Sequence, residues 1–232
     1  MITSKQNKTF KKYVSLKLKK YRDQYDLFLV YGKHLVEQAQ KKRVVVEVIT
    51  SNPMIDGTLY DRSLLEDLQQ TETYMDVIAV CRKENIKISS NRILMLDDVQ
   101  DPDNVGALLR SAVAFGFNHI IFSPHCADLY NEKTIRASKG ALFDVYVERK
   151  PLKSALIELK QMGYTVLGAD AHEGGKIHPT NQIVLVLGNE GHGLSSEVID
   201  EIDDFVHIDT KDVESLNVSV AGSILMYLWR NL

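Results

Sequence analysis

The chain has 232 residues, 44% of them hydrophobic, and a formal net charge of −3 at pH 7. This length and apolar content suffice for one substantial core and a smaller second domain. No apolar run approaches the roughly 20 residues of a membrane span, and the two cysteines, Cys81 and Cys126, form neither a disulfide framework nor a zinc motif. We therefore expect a cytoplasmic protein with no membrane segment and no metal site.

Basic residues are concentrated at the N-terminus, although the net charge gives no global indication of a nucleic-acid partner. The first 22 residues contain eight of them: Lys5, Lys8, Lys11, Lys12, Lys17, Lys19, Lys20 and Arg22. Such charge asymmetry is typical of a nucleic-acid-binding end on an otherwise ordinary protein. The alternative is a solvated, lysine-rich helix face.

Residues 1–85 are predicted to form a small α/β domain. Hydrophobic periodicity and turn residues predict, in chain order, a charged helix at 18–23, a strand at 28–31, a helix at 33–42, and buried strands at 44–50 and 76–81. The polar stretch that follows predicts a linker at 86–91.

From residue 92 to residue 232, strands alternate with helices. Strands are predicted at 93–96, 119–122, 145–147, 165–167, 183–187 and 205–208, and helices at 105–115, 151–162, 195–202 and 218–229. Several of these strands are continuous apolar runs, which indicates that helices cover both faces of the sheet. The pattern predicts an α/β domain with a doubly wound parallel sheet.

The first motif, residues 101–110, reads Asp-Pro-Asp-Asn-Val-Gly-Ala-Leu-Leu-Arg and follows a predicted strand. Pro102 fixes a turn, and Asn104 is expected to N-cap a helix that begins at the next residue. Gly106 lies in the first turn, where it indicates a close backbone approach. Arg110 is expected on roughly the same helix face as Asn104, near the strand ends where ligands of α/β proteins bind.

The second motif, residues 187–195, reads Leu-Gly-Asn-Glu-Gly-His-Gly-Leu-Ser. Its glycine spacing differs from the dinucleotide fingerprint. A strand that breaks at Gly188 allows a flat ring to approach the backbone amides, and a plain glycine-rich β–α turn is the alternative.

The third motif, residues 215–221, reads Ser-Leu-Asn-Val-Ser-Val-Ala and leads into the last predicted helix. The small residues there predict tight backbone contact. Ala221, Gly222, Leu225, Met226 and Trp229 are candidate contacts to a second copy of the chain, with burial in the monomer core as the alternative.

In this order and spacing, the three motifs resemble the signatures of the SpoU (TrmH-type) RNA ribose methyltransferases of the SPOUT class. The resemblance is nearly continuous over residues 91–232, and residues 1–85 look like the ribosomal-protein-like substrate-binding domain that precedes many rRNA-directed members. It implies a C-terminal trefoil knot, S-adenosylmethionine as cofactor, RNA as partner, and a homodimer paired through the catalytic domain.

The resemblance also implies site residues. The catalytic set is Arg110, Asn104, Glu190, Ser215 and Asn217. The cofactor-binding set is Gly188, Ile208, Leu216, Leu187, Ala169 and Gly191. Asp209 stands where the family usually has proline, which is a departure in the cofactor loop.

The implied reaction is methyl transfer to a ribose 2′-hydroxyl of structured RNA, with rRNA favoured over tRNA by the N-terminal domain. Other interpretations are a tRNA ribose methyltransferase, a catalytically idle RNA-binding factor in ribosome assembly, and another small-molecule enzyme on a similar sheet. Retention of Asn104, Arg110, Glu190 and Asn217 together favours an active enzyme. Because guanidinium stays protonated, Arg110 is expected to bind a phosphate and polarise the hydroxyl, and the proton acceptor is left open.

Overall fold

A computed structural model of the chain describes residues 1–170, 174–175, 181–213 and 215–231. It contains two sheets joined by the segment around residues 83–91. No helix in these described ranges is long and apolar enough to cross a membrane.

The N-terminal sheet has four strands in the order β1-β4-β2-β3. Its elements are α1 (Lys8–Ser15), α2 (Lys19–Tyr25), β1 (Leu27–Tyr31), α3 (Lys33–Lys41), β2 (Val45–Thr50), β3 (Thr58–Leu59), α4 (Arg62–Leu68) and β4 (Val77–Arg82). Strand β4 is antiparallel to both β1 and β2, and β3 is parallel to β2. The predicted strands and the helix α3 are confirmed within a residue or two, whereas α1, β3 and α4 were not predicted.

In the described part of the chain, the second sheet has six parallel strands in the order β10-β8-β9-β5-β6-β7. Its elements are β5 (Arg92–Leu96), α5 (Pro102–Phe115), β6 (His119–Phe122), α6 (Glu132–Ser138), a short 3-10 helix (Ala141–Asp144), β7 (Tyr146–Arg149), α7 (Leu152–Gln161), β8 (Thr165–Ala169), β9 (Ile183–Leu187), α8 (Ser196–Ile199), β10 (Asp204–Val206) and α9 (Val218–Leu228). The predicted parallel α/β sheet is confirmed, and α6 is an additional helix.

Helices cover both faces of this sheet, as the apolar strands indicated. On β5, Ile93 and Met95 belong to a cluster with Leu156 of α7. The alternate residues of the same strand, Leu94 and Leu96, belong to the core on the side of α5 and α9. Because successive side chains of a strand point to opposite faces, a strand buried on both sides must be apolar throughout.

The final helix is packed tightly, with its backbone close to its neighbours. A Cβ on Gly222 would lie 2.5 Å from a methyl group of Leu187 and 2.7 Å from one of Leu108, so any larger residue would displace these two side chains. Leu225 and Met226 are also buried in the monomer core, as are Gly222 and Trp229. The suggestion that these residues contact a second copy is therefore wrong, because α5 and β9 already cover them.

The two sheets share one continuous core. Phe28 of β1 packs against Tyr130, with ring centroids 4.6 Å apart. Arg22 is 5% exposed, pairs with Asp128 at 2.5 Å, and donates to the carbonyl of Leu16 at 2.9 Å. Arg22 therefore joins the α1–α2 corner to the loop between β6 and α6, so this member of the basic N-terminal group is buried and does not face a partner.

The segment between the sheets is held in place as well. The Asn85 side chain donates to the carbonyl of Val147 at 2.7 Å and accepts from the backbone N–H of the same residue at 3.0 Å. Since Val147 lies on the edge strand β7, this pairing occupies backbone groups that the sheet leaves free. The predicted linker is thus attached to the sheet at its beginning.

Strand order places the functional loops together. From β5 the chain moves outward to β6 and β7, then returns to β8 and β9 on the other side of β5. Ligands of open α/β sheets bind beyond the carboxyl ends of the strands at such a reversal. The three sequence motifs follow β5, β9 and β10, so all of them lie at this edge.

Candidate active site

A cavity of about 380 Å³ lies at the carboxyl ends of β8, β9 and β10. All six predicted cofactor-binding residues line it, namely Ala169, Leu187, Gly188, Gly191, Ile208 and Leu216, together with Glu190 and Ser215 of the catalytic set. This volume is within the range of about 300–1,000 Å³ that is usual for small-molecule sites. Asn104, Asn217 and Arg110 do not line the cavity.

Three side chains, one from each motif, form a hydrogen-bond relay beside the cavity. The Nδ2 of Asn104 donates to Oε1 of Glu190 at 2.9 Å, and the Nδ2 of Asn217 donates to Oδ1 of Asn104 at 3.0 Å. Asn217 also N-caps α9, because its Oδ1 accepts from the backbone N–H of Ser219 at 2.8 Å. The relay therefore fixes the first turn of α5, the second-motif loop and the start of α9 relative to one another.

The predicted N-cap of α5 is wrong. Asp101 caps the helix by accepting from the backbone N–H of Asp103 at 2.9 Å, and Pro102 is the first helical residue. Aspartate followed by proline is the more favourable start, because proline lacks the N–H that a first helical residue leaves unsatisfied. Asn104 is thus the third helical residue, 8% exposed, and its amide is available for the relay.

Glu190 closes the N-terminus of α5 from outside. Its carboxylate accepts from the backbone N–H groups of Gln100 at 3.4 Å and Asp101 at 3.3 Å, in addition to Asn104. Burial raises the pKa of Glu190, but these hydrogen bonds outweigh burial and hold the pKa below its usual range. The lowered pKa makes this carboxylate a weak base, which suits an organising group better than a proton acceptor.

The second-motif loop is organised by Asn189, which sequence reasoning missed. Its backbone pairs with Gly193 in both directions, and its Oδ1 accepts from the N–H groups of Gly191 at 2.8 Å and His192 at 3.1 Å. Its Nδ2 donates to the carbonyl of Asp98 at 2.8 Å. An asparagine inside a glycine-rich turn is a known signal for such a side-chain-closed turn, so the sequence contained the information.

The far end of the same loop is held by a second overlooked residue. Asp97 is 5% exposed and accepts from the backbone N–H of Ser195 at 2.7 Å. Asp98 follows with φ of 55°, a left-handed conformation that turns the chain from β5 toward α5. The two consecutive aspartates after β5 thus hold both ends of the loop that carries Glu190.

Gly188 is required by the loop itself, and the expected approach of a flat ring to its backbone stays a prediction. A Cβ there would lie 2.3 Å from the carbonyl carbon of Gly193 and 2.5 Å from the nitrogen of Leu194. The missing side chain therefore allows the loop to fold back on itself, and this closure shapes the cavity wall.

The cavity suits a ligand with both apolar and polar parts. Its walls include the apolar side chains of Leu187, Ile208 and Leu216. His207 also lines it, and the Nδ1 of this residue is buried without a hydrogen-bond partner among the described residues. Since a buried polar atom normally has a partner, this nitrogen fits a polar ligand group. Asp209, in place of the usual proline, does not line the cavity, and its carboxylate contacts Nε2 of His207 at 2.9 Å.

Arg110 lies apart from the relay. It is exposed and makes no hydrogen bond or ion pair with the described residues. The expected shared face with Asn104 is wrong, since six residues of α-helix place two side chains about 120° apart. Gly106 does permit close approach, because a Cβ there would lie 2.5 Å from Cβ of Ala137 on α6. Within the described ranges, no cluster of three or more His, Cys, Asp or Glu side chains could hold a metal ion.

Two family models match the chain. The SpoU rRNA methylase family matches residues 91–227, more than half of the chain. The protein belongs to the SpoU rRNA methylase family. An MRM3-like substrate-binding domain matches residues 7–92.

Individual relatives agree with this membership. The chain is 34% identical to the 23S rRNA (guanosine(2553)-2′-O)-methyltransferase RlmP of Bacillus subtilis (strain 168), over 97% of each chain. A solved RNA 2′-O ribose methyltransferase superposes with a TM-score of 0.82 at 25% identity, covering 97% of this chain and 96% of its own. The SpoU methyltransferase AviRb from Streptomyces viridochromogenes, in complex with the cofactor AdoMet, has the same fold, with a TM-score of 0.84 at 24% identity over 97% of each chain.

Proposed function

We propose that this SpoU family member transfers a methyl group from S-adenosylmethionine to a ribose 2′-hydroxyl of rRNA. The observation that carries the proposal is the relay of Glu190, Asn104 and Asn217, which joins all three family motifs beside one cavity. The name of the relative RlmP, a 23S rRNA 2′-O-methyltransferase, supports rRNA over tRNA as substrate.

S-adenosylmethionine is the proposed ligand of the cavity, as AdoMet is the cofactor of AviRb in its complex. Leu187, Ile208 and Leu216 would hold its apolar parts, while the backbone around Gly188 and the orphaned Nδ1 of His207 offer polar contacts. When bound, it supplies a methyl group on a positively charged sulfur, which needs no further activation.

The remaining chemistry concerns the ribose. A 2′-hydroxyl is a poor nucleophile until it is aligned and its proton is removed. Arg110, exposed and without a protein partner in the described ranges, is proposed to bind the phosphate beside the target ribose and polarise its hydroxyl. Ser215 lies exposed at the cavity, where it can contact the same ribose.

The relay residues are proposed to position the site and not to take part in the reaction. Asn104 and Asn217 have their amides committed to each other and to Glu190, so we assign them the role of holding the loops that border the cavity. Glu190 remains ionised and stabilises the start of α5, from which Arg110 projects two turns later.

Residues 1–85 are proposed as the RNA substrate-binding domain, 86–91 as the linker and 92–232 as the catalytic domain. The match of residues 7–92 to an MRM3-like substrate-binding domain supports the N-terminal domain, and this match includes the proposed linker. Deletion of the first 85 residues is not a clean test, because residues of both sheets share one core. We also propose a cytoplasmic location, and the trefoil knot stays a prediction.

A homodimer paired through α9 is part of the same proposal. This helix exposes four apolar side chains, at 36–53% of their full accessible surface: Val220, Ile224, Tyr227 and Leu228. Light scattering is expected to give twice the monomer mass, and Ile224→Glu is expected to lower it. A monomer mass for the unaltered protein at micromolar concentration would reject the dimer.

Mapping of ribose methylation tests the function. RNA from cells that lack the protein is incubated with the purified protein and S-adenosylmethionine, and 2′-O-methyl sites are mapped by resistance of the backbone to alkaline cleavage. One new site in rRNA is expected. A new site in tRNA would change the substrate class, and binding of RNA without any new site would indicate an idle RNA-binding factor.

A further inference from the structure

Two tyrosines form a stacked pair on the surface of the N-terminal domain. Tyr21 and Tyr25 lie four residues apart on α2, so they share a face. Their ring centroids are 6.2 Å apart and their planes differ by 13°. The Nζ of Lys20 lies 4.7 Å from the Tyr21 centroid, and the Nζ of Lys12, from α1, lies 4.8 Å from that of Tyr25. Aromatic rings and cations thus alternate on this surface.

Neither packing in the core nor a hydrogen bond of its hydroxyl explains why a tyrosine stands at position 21. Two buried tyrosines of this domain have polar partners: the hydroxyl of Tyr13 donates to Glu47 at 2.6 Å, and that of Tyr31 donates to the carbonyl of Leu68 at 3.2 Å. A third, Tyr60, is packed in the hydrophobic core. Tyr25 packs partly on the domain core, but Tyr21 belongs to none of the hydrophobic clusters of the described residues.

The surroundings of the pair are suited to a polyanion. Residues 5–25 contain eight lysines and arginines and one carboxylate, Asp23. Asp23 is already paired with Lys19 and Lys83, and Arg22 is turned into the core. The exposed lysines nearest in sequence to the two rings are Lys8, Lys11, Lys12, Lys19 and Lys20.

We propose that Tyr21 and Tyr25 form a stacking platform for an unpaired base of the RNA substrate, while the neighbouring lysines contact the flanking phosphates. The proposal rests on the proposed function and names the RNA feature that this domain recognises. Proteins read single-stranded loops of RNA by stacking splayed bases on aromatic side chains, and stacking tolerates any base. The exposed lysine–tyrosine contacts are weak and can be exchanged for phosphate contacts.

The platform has a fixed place relative to the cavity. Arg22, between the two tyrosines in sequence, is anchored at 2.5 Å to Asp128, in the loop between β6 and α6, and to the end of α1. A base held on the platform would therefore set the distance along the RNA to the ribose that reaches Arg110. The platform is thus inferred to select the substrate through its loop structure.

The test compares RNA affinity for a loop and for a duplex. Tyr21→Leu keeps an apolar side chain but removes the ring, and is expected to weaken binding of a hairpin loop about 5-fold or more, with no change for a fully paired duplex of equal length. Tyr21→Phe keeps the ring and should restore the affinity. Lys20→Gln should lower the affinity for both the hairpin and the duplex, and reduce the slope of log affinity against log salt by about 0.7–0.9. Met54→Ala, at a residue 90% exposed elsewhere in the domain, is the matched control.

A direct readout uses 2-aminopurine in the hairpin loop, whose fluorescence is quenched on stacking. Quenching that is lost in Tyr21→Leu and retained in Tyr21→Phe supports the platform. The platform is overturned if Tyr21→Leu lowers the affinity for loop and duplex equally. It is also overturned if quenching and the KM for RNA are unchanged in Tyr21→Leu, a result that would point to a protein as the partner of the tyrosine pair. A protein that methylates no RNA contradicts the proposed function, while the fluorescence experiment still decides the platform.

Discussion

The proposed cofactor side and the proposed RNA side of this protein are built in opposite ways. Around the cavity, polar side chains are committed to each other: Asn104 both donates and accepts, and Asn189 closes its own loop. On the proposed RNA side, Arg110 has no polar partner among the described residues, and Lys12 and Lys20 contact only tyrosine rings in weak cation–π pairs. The proposed cofactor site is thus pre-organised by the fold, while the cations remain available to an external polyanion.

The difference has a physical reason. A small ligand gains affinity when the site is already ordered, because no loop must be fixed on binding. A long polyanion gains affinity by displacing counterions, which requires cations that are not neutralised by nearby carboxylates. Substitutions on the two sides should therefore separate cofactor binding from catalysis and from RNA binding.

The largest effect is expected at Arg110. Arg110→Ala should lower methyl transfer by about 100-fold or more, as for loss of a group that stabilises transition-state charge, and leave the Kd for S-adenosylmethionine nearly unchanged. Arg110→Lys keeps the charge without the fork of donors and should retain part of the activity. Lys153→Ala, exposed on α7 across the sheet, is the control. Methylation at the unaltered rate by Arg110→Ala would remove this residue from the mechanism.

Gly188 offers the sharpest test of the pre-organised side. Gly188→Ala places a Cβ 2.3 Å from the backbone of Gly193, which cannot move without opening the loop. Affinity for S-adenosylmethionine in calorimetry should fall at least about 10-fold, the 1.4 kcal/mol of one modest steric conflict. Gly191→Ala is the control for an added methyl group in the same loop. Its Cβ would lie 3.5 Å from Asn189 Oδ1, which is an ordinary contact, so the Tm should be nearly unchanged. Equal affinity in Gly188→Ala and the unaltered chain would contradict the loop-closure argument.

The sequence alone was sufficient to predict elements whose hydrophobic pattern is local or repeated. The apolar strands β6 and β9 were predicted at their observed limits. The six residues that the family resemblance assigns to the cofactor line one cavity, and their binding role stays a prediction. Helix α1 was missed because its lysines obscure the face formed by Phe10 and Tyr13. The Asn104 error arose because capping ability was assigned to asparagine, although Asp101 with Pro102 competes better for the same helix start. Long-range side-chain pairing, such as Asp97 with Ser195, is set by the tertiary fold, so no local signal predicts it.

The relay should show a smaller, mixed effect. Asn104→Ala removes a donor from Glu190 and an acceptor from Asn217, both of which are exposed, so each lost hydrogen bond should cost about 0.5–1.5 kcal/mol. Both kcat and cofactor affinity should decrease several-fold. Ser111→Ala is the matched control, since it removes another bond between α5 and α9, Ser111 to Ser223 at 2.6 Å. If both variants lose the same activity, the relay only packs the two helices and does not position the site.

The smallest effect is a pH dependence of stability at Glu190, which belongs to the pre-organised side. Burial raises the pKa of Glu190, but the Asn104 amide and the N–H groups of Gln100 and Asp101 together lower it by more than burial raises it. The pKa in the folded protein is therefore below the model-peptide value of 4.5. A carboxylate with a depressed folded pKa contributes stability that is complete above the unfolded pKa and is lost as pH falls through the folded one. Tm of the unaltered protein should therefore exceed that of Glu190→Gln at pH 7, and the difference should shrink below about pH 4.5. A Tm difference that stays constant from pH 7 to pH 3.5 would show that the charge of Glu190 does not stabilise the start of α5.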